Sequence, residues 1–87
     1  MDLQNYREQI DKIDNELLRL FIERMNVARQ IAIYKKEHDL PALDASRETE
    51  KLATIDEKAG EEMQPYAHKL YELLLELSRS YQERLLT

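Results

Sequence analysis

The stretch DLQNYREQIDKIDNELLRLFIERMNVARQIAIYKKEH, residues 2–38, decides the fold. It contains neither glycine nor proline, and its apolar residues fall at Leu3, Tyr6, Ile10, Ile13, Leu17, Leu20, Val27, Ile31 and Tyr34. Steps of three and four residues place these on one face of a helix. At 1.5 Å per residue such a helix is roughly 54 Å long, whereas a compact globule of this chain length is only about 30 Å across.

Outward from that helix, the sequence predicts two more. Pro41 and Leu43-Asp44-Ala45-Ser46 read as a loop, with Asp44 or Ser46 able to cap a second helix over 45–59, which Gly60 ends. A third helix, over about 61–85, begins near Glu61–Pro65 and has Ala67, Leu70, Tyr71, Leu74, Leu77, Tyr81 and Leu85 as its apolar residues. The whole chain, 1–87, reads as a single all-α domain of three helices with a very long first helix. The second and third helices are too short to cover the first along its length. Without Gly or Pro to kink it, the uncovered stripe calls for a second copy of the chain, so a homodimer is expected.

Composition narrows the function. The 87 residues carry 13 Lys+Arg against 18 Asp+Glu, a net charge of −5, which argues against nucleic-acid binding. No Cys is present, so a thiolate site and a disulfide framework are excluded. No apolar run approaches a membrane span, and the first residues lack a signal peptide's basic and apolar regions. The expected location is the cytoplasm.

Charge then appears where apolar residues belong. After Leu20 the three-four rhythm reaches Arg24, and Lys35, eleven residues on, returns to nearly the same face about 16 Å along the axis. Arg7 lies about 100° around from Arg24 and points elsewhere, into a neighbouring subunit in a dimer. In the second helix Asp44, Arg47 and Glu48 share a face, and the third places Ser78 and Gln82 between Leu74 and Leu85. Each residue taken alone has a plainer reading. Arg7 and Lys35 can snorkel, Arg24 can pair with Glu48, Asp44 can be an N-cap, and Ser78 with Gln82 can set helix register. Convergence of cations, carboxylates, an amide and a hydroxyl from all three helices favours a site for a small anion.

The chemistry open to such a site is limited. One Gly excludes a glycine-rich phosphate loop. His38 and His68 have Lys35 and Pro65 three residues before them, so the Glu-x-x-His pattern of helical metal sites is missing. Glu61, Glu62, Glu72 and Glu76 read as solvated faces. The set suits electrostatic and geometric catalysis on a carboxylated small molecule.

The run YREQIDKIDNELLRLFIERMNVARQIAIYK, then Pro41-x-x-Asp44-x-x-Arg47-Glu48, then Ser78-x-x-x-Gln82, resembles the all-helical AroQ class of chorismate mutases over essentially the whole chain. That resemblance implies an intertwined homodimer in which the long first helices pair. It implies that Arg24, with Arg7 of the partner subunit, binds the two carboxylates of chorismate. Lys35 and Gln82 would hydrogen-bond the enolpyruvyl ether oxygen. Glu48 and the Asp44 region would hold the ring hydroxyl, with Arg47 and Ser78 completing the wall. The implied reaction is the [3,3] rearrangement of chorismate to prephenate in phenylalanine and tyrosine biosynthesis, which uses no nucleophile, metal or cofactor. Arg24, Lys35 and Gln82 would carry the catalysis. Two rivals stand beside it. Isochorismate–pyruvate lyases share the fold, but there the residue after the second-helix arginine tends to be apolar, and here it is Glu48. A helical dimerisation module without catalysis predicts no effect of chorismate on thermal stability.

Overall fold

Helix α1 (Leu3–Glu37), helix α2 (Ala45–Ala59) and helix α3 (Gln64–Leu86) make up the computed structural model, which describes residues 2–87. Each boundary has a local cause. Asp2 caps α1, its carboxylate accepting the Asn5 N–H at 3.0 Å. At the other end Asp39 adopts φ 54°. Its N–H meets the Lys36 carbonyl at 3.5 Å, and the Leu40 N–H meets the Lys35 carbonyl at 2.8 Å. This is the Schellman arrangement, with an Asp in the left-handed position that glycine most often fills.

Asp44 caps α2 by accepting the Arg47 N–H at 3.0 Å. Gly60 follows α2 at φ 81° and ψ 162°, a backbone region that only glycine adopts without strain. The turn after it leads into the third helix, which begins at Gln64, within the expected stretch Glu61–Pro65, and runs to Leu86. Pro65 sits in its first turn, where its missing N–H costs nothing.

Helix α3 packs against both α1 and α2, while α1 and α2 do not pack on each other. At the α1–α3 contact Ala28 and Ala32 are each 2% exposed, and they are the only apolar residues the single chain fully buries among those described. The rest of the α1 stripe stays open, from Leu3 at 62% through Ile10, Ile13 and Leu17 at 55% to Leu20 at 50%. The molecule measures 55 × 26 × 14 Å with a radius of gyration of 16.0 Å. A compact chain of this length would have a radius of gyration of about 12 Å. Among the described residues no helix is long and apolar enough to cross a membrane.

Away from the α1–α3 contact, His68 of α3 ties α2 in place. Its Nδ1 lies 2.7 Å from Asp56 Oδ1, and its Nε2 lies 3.5 Å from Glu72, a residue expected on a solvated face. The hydrogen bond to Asp56 raises the His68 pKa above its ordinary value and lowers that of Asp56.

Candidate functional site

Because α1 and α2 both lean on α3 without touching each other, a cleft opens between them with α3 as its floor. It encloses about 470 Å³, within the range of small-molecule sites. Helix α1 contributes Arg24 and Lys35, α2 contributes Arg47 and Glu48 together with its cap Asp44, and α3 contributes Ser78 and Gln82. Seven of the eight residues expected at a site therefore line one cavity. The eighth, Arg7, is exposed near the start of α1, about 25 Å along the helix from Arg24, and does not line it.

Lys35 is the centre of the hydrogen bonding. Its Nζ donates to the Ala42 carbonyl at 2.7 Å and to Gln82 Oε1 at 2.9 Å. The Schellman turn makes the first bond possible by folding the loop back over the helix end. The second fixes the orientation of Gln82, because an amide whose oxygen accepts must turn its NH₂ the other way. Gln82 Nε2 then donates one hydrogen to Ser78 Oγ at 3.3 Å, one helical turn back. At 6% exposure Gln82 is the most enclosed polar residue of the cleft. Lys35 and Gln82 each retain one N–H beyond these bonds, so a charged and a neutral donor stand side by side.

Arg24 is half-buried and donates only to the Leu74 carbonyl, at 3.4 Å. Pairing of Arg24 with Glu48, one of the readings the spacing allowed, does not occur. Arg79 takes Glu48 instead, with Nη1 2.7 Å from one carboxylate oxygen and 2.9 Å from the other. The bond to Glu48 raises the Arg79 pKa above its ordinary value. The Asp44 carboxylate is occupied as the α2 cap, and through that cap it sets where Arg47 and Glu48 stand.

Two charged residues of the cleft escaped the sequence reading. Lys51 extends the face of Asp44, Arg47 and Glu48 at the next helical step, so continuing that rhythm by seven residues from Asp44 would have reached it. Arg79 carried no such signal, since its partner lies 31 residues away on another helix.

The family described as chorismate mutase type II matches residues 6–83. A chorismate mutase of Methanocaldococcus jannaschii is similar at 30% identity, over 97% of this chain and 87% of the relative. No solved structure matches significantly.

Proposed function

This chain belongs to the chorismate mutase type II family, and we propose that it rearranges chorismate to prephenate in the cleft between α1 and α2, as a step of phenylalanine and tyrosine biosynthesis in the cytoplasm. The observation that carries this reading is the Lys35–Gln82 pair, two adjoining donors on the cleft wall. In the rearrangement the bond between the ring and the ether oxygen breaks while a carbon–carbon bond forms at the other end of the enolpyruvyl group. Negative charge grows on the ether oxygen as its bond lengthens. Donors already fixed by Ala42 and Ser78 meet that charge without reorganising, and such interactions lower the barrier most.

Binding follows from the remaining residues. Arg24, which has no carboxylate partner among the described residues, meets a substrate carboxylate. Glu48 accepts the ring hydroxyl, with Arg47 and Ser78 closing the wall and Asp44 holding the α2 end of the site. Holding both arms of the substrate selects the folded conformer in which the reacting carbons approach.

The dimer belongs to the same reading. A chain whose described residues include only two fully buried apolar ones, both alanines, and leave Leu3 to Leu20 open has too little core to hold a helix of 35 residues alone. Pairing of two α1 helices covers that stripe and brings Arg7 of one copy to the cleft of the other, where it supplies the second carboxylate contact.

Product analysis after separate incubation with chorismate and isochorismate tests the proposal. Prephenate from chorismate, with no pyruvate released from isochorismate, is expected. Pyruvate release from isochorismate with chorismate untouched would assign the site to the lyase reaction instead.

A further inference from the structure

The cleft brings together five cations, Arg24, Lys35, Arg47, Lys51 and Arg79, and one carboxylate without a capping role, Glu48. Where that carboxylate rests decides which cations remain available to an anionic ligand. Glu48 shares the cleft with other cations besides Arg79. Lys51 stands at i+3 on its own helix, and Arg24 and Lys35 face it across the cleft. Had it joined either of the latter, the site would neutralise itself, and a dicarboxylate would have to break an internal ion pair in order to bind.

Arg79 prevents this. One guanidinium nitrogen spans both oxygens of Glu48, at 2.7 and 2.9 Å, and draws the carboxylate back to the α2–α3 wall. Both side chains are largely enclosed, at 30% exposure for Arg79 and 23% for Glu48, so the pair is less screened than an ordinary surface bridge. The consequence is visible on the opposite wall. Arg24 and Lys35 donate to neutral acceptors only, and no described carboxylate pairs with either. Glu76 and Glu83, three residues before and four after Arg79 on α3, also favour its charged form.

We propose that Arg79 is a positioning residue for the mutase reaction: it holds Glu48 where that carboxylate can accept the ring hydroxyl, and keeps it off Arg24 and Lys35. The proposal rests on reading the cleft as the mutase site. Arg79 touches no substrate atom in this account and acts only through Glu48. Its loss therefore has a particular kinetic form. A released Glu48 swings onto the cations that the substrate needs, so KM rises more than kcat falls. Deleting the Glu48 charge as well removes the competitor.

Steady-state kinetics of the full-length protein with chorismate tests this, using Arg79→Met, Arg79→Lys, Glu48→Gln and the Arg79→Met/Glu48→Gln double variant. Arg79→Met should lose roughly 10- to 100-fold in kcat/KM, the range expected when reacting groups are misplaced by about an ångström. Most of that loss should lie in KM, and Arg79→Lys should recover most of it. The double variant should be no worse than Glu48→Gln alone, because the two residues act as a unit. Arg79→Met kinetics equal to those of the wild type, or losses that multiply in the double variant, would overturn the proposal. If Arg79→Met does not fold, Arg79→Lys and Arg79→Gln, each with and without Glu48→Gln, carry the same comparison. A wild-type protein that forms no prephenate would overturn the functional reading and this proposal with it; an active wild type with multiplying losses would overturn this proposal alone.

Discussion

Lys35 is the residue on which the site is built, since it joins the end of α1 to the loop at Ala42 and to Gln82 on α3. Removing it deletes the charged donor and also releases the amide that it orients. Lys35→Ala and Arg24→Ala should each lower prephenate formation on the order of 100-fold or more, the usual effect of losing one preorganised electrostatic contact. A loss of only a few-fold in either, with the fold intact by circular dichroism, would remove that residue from the proposed mechanism. At this scale the sequence was informative wherever helical spacing carried the signal. Arg24, Lys35, Ser78 and Gln82 all interrupt apolar lines and all face the cleft. It was silent on the partner of Glu48. Spacing orders residues along one helix, whereas the Arg79–Glu48 pair depends on how two helices meet.

Helix ends set the geometry that these side chains need. Asp44 both lines the cleft and caps α2, so its substitution should act on stability before it acts on chemistry. Asp44→Ala should cost about 1 kcal/mol in urea unfolding, and Asp44→Asn, which can still cap, much less. Equal losses in the two would show that the cap contributes little. The His68–Asp56 bond between α3 and α2 adds a dependence on pH. His68 is raised above its ordinary value of 6.5, so its contribution is fully present below that value and is lost as pH rises through the raised folded value. Asp56 is lowered from 3.8, so its contribution is present above that value and is lost as pH falls through the lowered one. The melting temperature of wild type should therefore exceed that of His68→Asn most near about pH 5, with the gap closing as pH rises through the raised His68 value. A gap that does not change over this range would contradict the charged bridge. Pro41, Asp44 and Gly60 made the extents of the first two helices legible in advance. The start of α3 was legible only to within Glu61–Pro65, because acidic residues at 61 and 62 look helical, while the turn that holds them follows from the Gly60 backbone.

The whole molecule is longer than its own core can support. The mismatch between a helix of 35 residues and its shorter partners could be read from the sequence, and the open stripe from Leu3 to Leu20 is its structural counterpart. Light scattering should give twice the 10.4 kDa chain mass, with a melting temperature that rises with protein concentration. A monomer of concentration-independent stability would remove Arg7 from the site. The small residues Ala28 and Ala32 let α1 and α3 approach closely, so Ala32→Leu should cost about 1–3 kcal/mol by overpacking, read from denaturant unfolding.

In the mechanism we propose, a neutral amide beside Lys35, that of Gln82, donates to the ether oxygen as chorismate rearranges. The pH dependence of prephenate formation by wild type and Gln82→Glu tests it most directly. Gln82 does not titrate, so wild-type activity should persist from about pH 5 to 8. A glutamic acid at this position donates only while protonated, and Lys35, 2.9 Å from the present amide oxygen, favours the ionised form. The variant should therefore be nearly inactive at neutral pH and recover as the solution is acidified. A Gln82→Glu protein whose rate follows the wild-type profile, or a wild type that leaves chorismate unchanged, would contradict the account.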